Sequence, residues 1–221
     1  MHIKRKTIPT FWPVSRTGTK YLALPQHDKE SSISLVVIAR DIIGLVKNKK
    51  ELKKIINEKK ILINNRIVRE INYPISLFDC IAVPSVKKYY KIILKGRKFE
   101  PISVPEKETK SKMYKVISKT YLSGKKLQLN LSQGRNVLLN EKEKAENIKS
   151  GDFVVMDNSK NNIIKIISIK KDVGVVIVKG KHFGIEGKVI DIIKEGENEL
   201  AIIKTKDGEI KVNIDNIFAK D

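Results

Sequence analysis

The chain has 221 residues, with 45 Lys plus Arg against 25 Asp plus Glu, and so carries a formal net charge of +20. A field of one sign that strong attracts polyanions and repels other copies of the chain. No apolar run approaches the roughly 18 residues a membrane-spanning helix needs. The densest, Leu35 to Ala39, is far shorter, and nucleic acid is the expected partner.

The opening, MHIKRKTIPTFWP, has positive charge but no apolar core behind it, so no secretory signal is expected. Residues 1–32 read as extended, because Pro9, Pro13 and Pro25 interrupt any helix. Lys4, Arg5, Lys6, Arg16 and Lys20 alternate there with Phe11, Trp12 and Tyr21. Such a tail suits insertion between RNA strands, with cations on phosphates and rings on bases. Equally, Trp12 suits an anchor that tucks the tail onto its own domain.

From Ser34 the pattern becomes helical. Leu35, Ile38, Ala39, Ile42 and Leu45 recur at three- and four-residue spacing, which makes one apolar face. A second helix follows, opened by Asn48 with Glu51 three residues later, the pattern of a capping box. Leu52, Ile55 and Ile56 form its expected buried face, and Lys49, Lys50, Lys53 and Lys54 lie on the rest. In ILINNRIVRE, residues 61–70, two β-branched runs flank Asn64-Asn65, whose side chains tolerate the positive φ of a tight hairpin. Arg66 and Arg69 sit at or just past the turn. CIAVP (80–84) and KYYKIIL (88–94) read as further strands. Cys80 excludes an internal disulfide and a cysteine-built zinc site, and reads as a small buried hydrophobe. His2, His27 and His182 are too scattered for a ligand pair, so no metal or cofactor is expected.

The polar stretch PISVPEKETKS, residues 101–111, marks a boundary. Beyond it, strands are expected at 127–131, 136–140, 153–157, 163–169, 174–178, 188–193, 200–205 and 209–214. Turn signals separate them at Gly124, Gly134, Gly151-Asp152, Asn161-Asn162, Gly196 and Asp207-Gly208. Short strands so punctuated indicate small barrels or sandwiches. Charge follows the same division. Residues 1–36 carry six Lys/Arg against two Asp/Glu, residues 37–99 sixteen against five, and the remaining 122 residues 23 against 18. The first half is therefore the expected phosphate-contact surface.

The stretch 34–99 resembles the alpha-L RNA-binding module, two helices followed by a hairpin of the type I-x-V-N-G-x. Here that hairpin is Ile61-Leu62-Ile63-Asn64-Asn65-Arg66, with Asn65 where Gly is usual. VVIVKGKHFGIEGKVIDI, 175–192, resembles a KOW motif, with Gly180, Gly184 and Gly187 as its glycines. Together with Trp12-Pro13, LQLNLSQGRNVLL, SGDFVVMD and the closing NIFAKD, the whole chain resembles the archaeal and eukaryotic family of small-subunit ribosomal protein number four. Its short start and close after the last strands point to the archaeal branch.

The resemblance implies an α+β chain in four parts: a basic N-terminal extension (1–33), an alpha-L type module (34–100), a β-rich central domain (101–169) and a KOW SH3-like barrel (170–221). It implies a cytoplasmic, ribosome-bound constituent of the small subunit that binds rRNA and neighbouring ribosomal proteins, without catalysis and without a small-molecule substrate. By position, Lys49, Lys50, Lys53, Asn64, Asn65, Arg66 and Arg69 are its rRNA contacts, with Lys179, Lys181 and His182 in the KOW loop as further candidates. Two alternatives stay open: a non-ribosomal or transcription-associated KOW protein, and an RNA-modifying enzyme that carries an alpha-L module. The enzyme has only Asp41, Asp79 and Asp152 to draw on, and nothing in the sequence groups them.

Overall fold

The structure, a computed structural model, describes residues 2–123, 126–139, 148–158, 162–195, 198–205 and 208–220. Of the expected elements, Asn140 and the turn residues Gly124, Asn161, Gly196 and Asp207 lie outside them. The chain is mostly β-strand with few helices, so the helical share is smaller than the expected α+β class implies. It divides into two compact units, residues 1–112 with 158–160, and residues 113–157 with 161–221.

In the first unit the basic start is folded. Strand β1 (His2–Lys4) pairs antiparallel with β2 (Tyr21–Ala23). Trp12 is 2% exposed and Phe11 packs on Phe99 at 4.7 Å between ring centroids, while the Phe99 N–H donates to the Phe11 carbonyl at 3.0 Å. The anchor reading of Trp12 is the one observed, and stacking on a base is excluded for a ring this deeply buried. β3 (Ser32–Ser34) pairs with β6 (Pro74–Ser76).

The first helix differs from the expected amphipathic one. A single α-turn, α1 (Leu35–Val37), runs on as a π-turn, Ile38–Ile42. Leu35, Val36, Val37, Ile38 and Ala39 are all buried, whereas Ile42 and Leu45 are only half-buried. A segment buried on every side has no face for periodicity to mark. Its start is set by a distant partner, since the Leu35 N–H donates to the Tyr73 carbonyl at 2.9 Å. Helix α2 (Lys49–Asn57) then leads into β4 (Leu62–Ile63) and β5 (Arg66–Ile67). With β7 (Cys80–Val83), β8 (Lys88–Lys95) and β9 (Lys98–Ser103) they form a sheet in the order β5-β4-β7-β8-β9. Ile33, Leu35, Ile38, Leu52, Ile56, Ile63, Ile81 and Ile92 are among the buried residues of the first unit.

The second unit holds two five-stranded sheets. The first contains β10 (Ser111–Leu122), β11 (Lys126–Leu131), β12 (Arg135–Leu139), β13 (Phe153–Asp157) and β14 (Ile163–Ile167), in the order β12-β11-β10-β13-β14. In β11, buried Leu127, Leu129 and Leu131 alternate with half-buried Gln128 and Asn130, the two-residue period of a strand with one face in the core. The second contains β15 (Gly174–Ile177), β16 (Glu186–Glu195), β17 (Asn198–Thr205), β18 (Gly208–Asn213) and β19 (Ile217–Ala219), in the order β18-β17-β16-β15-β19. Its core is Val175, Ile177, Val189, Ala201, Ile203, Val212, Ile214 and Ile217. Gly187 shows how tightly β16 and β17 meet: a Cβ there would stand 2.5 Å from both the Ile203 side chain and the Lys204 carbonyl.

Candidate nucleic-acid interface

Helix α2 presents the densest positive charge. Asn48 opens it in extended geometry but its side chain makes no capping bond; instead Glu51 Oε2 accepts the Lys47 N–H at 2.8 Å. The expected capping box is therefore not formed: the Glu51 carboxylate serves the residue one position before the N-cap. Leu52 and Ile56 are buried and Ile55 is half-buried, which turns Lys49, Lys50, Lys53 and Lys54 outward, all exposed. Lys49/Lys53 and Lys50/Lys54 are like charges one helical turn apart, each pair costing about 0.2–0.5 kcal/mol. A polyanion laid across the helix relieves that repulsion.

The hairpin follows the sequence closely. Asn64 and Asn65 have φ of 49° and 61°, the left-handed pair that a two-residue type I′ turn requires. Asn65, Arg66 and Arg69 are exposed. Asn64 is tied into the fold. It is half-buried, its Nδ2 donates to Asp79 Oδ1 at 2.6 Å, and its Oδ1 accepts the Cys80 N–H at 3.0 Å.

Between helix α2 and the segment that follows the hairpin lies an open groove of about 270 Å³. Lys49, Lys53 and Asn57 line it from α2, and Arg69, Glu70 and Asn72 line it from the segment after the hairpin, with Gln26. The fold thus brings Lys49, Lys53 and Arg69 together, while Lys50, Lys54, Asn65 and Arg66 are exposed outside the groove. Gln26, Asn57 and Asn72 escaped the sequence reading. Asn57 continues the four-residue ridge Lys49–Lys53–Asn57 and was legible there; Gln26 and Asn72 meet only through the fold, where the Gln26 N–H donates to the Asn72 carbonyl at 3.2 Å.

The N-terminal cations separate into two kinds. Lys4, Lys6 and Arg16 are exposed. Arg5 is half-buried, and its guanidinium donates to the carbonyls of Ser15 and Thr19 and to Thr19 Oγ1, each at 2.7 Å. It therefore holds its own loop in shape. In the second unit, Lys179 and Lys181 are exposed and His182 is half-buried, in a loop held by bonds from the Gly184 N–H to the Ile177 carbonyl and from the Val178 N–H to the Asn216 carbonyl, both 2.8 Å.

The three carboxylates open to catalysis are committed to structure. Asp41 accepts two hydrogen bonds from the Arg40 guanidinium, at 2.7 and 2.8 Å, and that contact raises the arginine's pKa. Asp152 Oδ2 accepts the Lys149 N–H at 2.8 Å, closing a turn. Asp79 is buried and pairs with buried Lys112. The Cys80 thiol is 1% exposed, and burial pushes its pKa up to about 11, which leaves it protonated and unreactive near neutrality.

Comparison with known proteins closes the matter of kinship. A family model described as Ribosomal family S4e matches residues 86–163. The small ribosomal subunit protein eS4 of Methanospirillum hungatei is 33% identical over 199 residues, covering 87% of this chain and 80% of the relative. That of Metallosphaera sedula is 32% identical over 226 residues, covering 97% and 93%. The crystal structure of the 30S ribosomal protein S4e from Thermoplasma acidophilum superimposes with a TM-score of 0.68 at 23% identity, over 86% of this chain and 95% of that one, which is a likeness of fold. With identities above 30% sustained over nearly the whole length, the chain belongs to the eS4 family of small ribosomal subunit proteins.

Proposed function

We propose that the chain is a structural, non-catalytic constituent of the small ribosomal subunit, bound to rRNA and neighbouring proteins in the cytoplasm. Its main RNA surface is the helix-and-hairpin face of the first unit. The observation that carries this reading is the groove in which Lys49 and Lys53 face Arg69, with Lys50, Lys54, Asn65 and Arg66 exposed around it. Duplex RNA offers side chains little sequence to read in its deep major groove, so binding rests on phosphates, 2′-hydroxyls and shape. Lysines supply mobile point charges and arginines a planar fork that engages phosphate bidentately. Lys4, Lys6, Arg16, Lys179, Lys181 and His182 are secondary contacts in the same reading, and Arg5 and Asn64 are supports. The division into an extension (1–33), an alpha-L type module (34–100), a β-rich centre (101–169) and a KOW barrel (170–221) belongs to this proposal too. It is favoured by the hairpin turn at Asn64-Asn65 and by the close approach at Gly187.

The test is binding of the full chain to transcribed small-subunit rRNA across a salt series, with backbone footprinting. About eight phosphate contacts give a log–log slope near −6. The Lys49→Ala/Lys50→Ala/Arg66→Ala variant should flatten that slope by two to three and lose its footprint. Unchanged binding removes this surface from the interface.

A further inference from the structure

The hairpin that carries Arg66 is too short to hold its own shape. It has two residues on each side, β5 lies at the sheet edge, and two paired residues contribute little by themselves. We propose that Asn64, Asp79 and Lys112 act as a positioning relay that presets the hairpin tip, so that Asn65 and Arg66 meet structured RNA in one geometry. The proposal rests on the RNA-binding reading above.

The geometry begins at Asn64. Its N–H donates to the Cys80 carbonyl at 2.9 Å, while its side-chain Oδ1 accepts the Cys80 N–H at 3.0 Å. Asn64 thereby extends the β4–β7 ladder by one residue, past Leu62↔Ala82 and Ile63↔Ile81 and into the turn itself. Its Nδ2 donates to Asp79 Oδ1 at 2.6 Å, and the same oxygen receives the Lys112 ammonium. The other oxygen, Oδ2, accepts the Ser76 N–H at 2.6 Å. Asp79 is 4% exposed and Lys112 3%. One buried carboxylate therefore ties the turn at 64 to the chain at 76 and 112.

The residue type at 64 discriminates between turn-making and anchoring. Gly, Asn and Asp all accept the left-handed conformation of this turn. Gly offers neither a donor nor an acceptor. Asp would set a second carboxylate against Asp79. Asn alone supplies an N–H for the carboxylate and an oxygen for Cys80 at once. A buried ion pair is weak evidence for stability, and its better attested use is to fix a register. Here the register fixed is that of the turn preceding Arg66.

A double-mutant cycle tests the relay, because residues acting through one another give non-additive losses. Full-length wild type, Asn64→Gly, Arg66→Ala and the double variant are titrated with transcribed small-subunit rRNA, and each is melted. Arg66→Ala should weaken binding about tenfold. Asn64→Gly, which keeps the turn, should weaken it by a similar factor while melting within a few degrees of wild type, and the double variant should be no worse than Arg66→Ala alone. Asn64→Asp, which also keeps the turn, should repeat the loss. Additive losses, or full affinity in both Asn64 variants, would overturn the relay. So would full affinity in Arg66→Ala, though helix α2 could then still bind. If wild type holds this RNA no better than a charge-matched polylysine, the RNA-binding reading itself fails.

Discussion

The two units differ in where their positive charge gathers. In the first, Asp41 pairs with Arg40, Glu58 with Lys60, Asp79 with Lys112 and Glu100 with Lys95, Glu51 on helix α2 takes the Lys47 N–H, and Glu70 lines the groove. Lys49, Lys50, Lys53 and Lys54 are left side by side on one exposed helix. In the second unit Lys171 pairs with Asp191 at 3.1 Å, Lys220 with Glu186 at 2.6 Å and Lys115 with Asp215 at 3.4 Å, and Lys179 and Lys181 share a loop, not a helix face. Binding a polyanion calls for cations whose own fold does not neutralise them. The proposed interface accordingly lies where four lysines share one exposed helix face, in the first unit.

The sharpest way to break this comparison is to remove the acid at its centre. Asp79→Ala strips the carboxylate from buried Lys112 and removes the acceptor of the Asn64 amide and the Ser76 N–H. Breaking a buried pair from one side costs about 3–5 kcal/mol. Chemical denaturation of the variant should show a loss of that size. A loss below about 1 kcal/mol would mean that Lys112 reaches water when its partner is gone, and that the first unit does not depend on this centre.

Next in size is the effect of charge removed in equal amounts from each unit. Lys49→Ala/Lys53→Ala and Lys171→Ala/Lys220→Ala both lower the net charge by two. The first pair should reduce the salt slope of rRNA binding by about two, the contribution of two phosphates. The second pair, already matched by Asp191 and Glu186, should leave the slope within about half a unit. Equal effects would show that binding follows net charge alone, and the contrast between the units would collapse.

Much of this was legible locally. Helix α2 and the hairpin carry their signals within a dozen residues: apolar spacing at Leu52 and Ile56, then Asn64-Asn65 between β-branched runs. The lysine cluster and Arg69 could be named for the same reason. What escaped depends on partners remote in sequence. The twelve-residue strand β10 was not expected, because SKMYKVISKTYL places lysines where a strand core should be apolar. Both inner lysines are buried against distant partners, Lys112 on Asp79 and Lys115 on the Ile214 carbonyl, 33 and 99 residues away. Asp79, unremarkable in sequence, is likewise understood only through Asn64, Ser76 and Lys112.

The smallest predicted effect sharpens the contrast from the side of the second unit. Lys115 donates to the Ile214 carbonyl at 2.7 Å and stands 3.4 Å from Asp215 Oδ1. Burial lowers its pKa from the ordinary 10.5, and this outweighs the opposing pull of Asp215. Below its lowered folded pKa the lysine is charged in both states, and there the folded chain bears the full desolvation penalty. As pH rises through the folded pKa the ammonium loses its proton and the penalty fades, and the gain is complete above 10.5, where the unfolded chain has titrated as well. This group therefore makes the chain more stable with rising pH. Lys115→Met removes the dependence, trading a buried charge for apolar surface at the cost of one donor to Ile214, so the two melting temperatures should lie within a few degrees at pH 7. As pH rises through the folded pKa towards 10.5 the wild type should gain on the variant. A difference that stays flat or shrinks would mean that Asp215 compensates the ammonium fully, and that even the buried charge of the second unit is as well matched as its surface pairs.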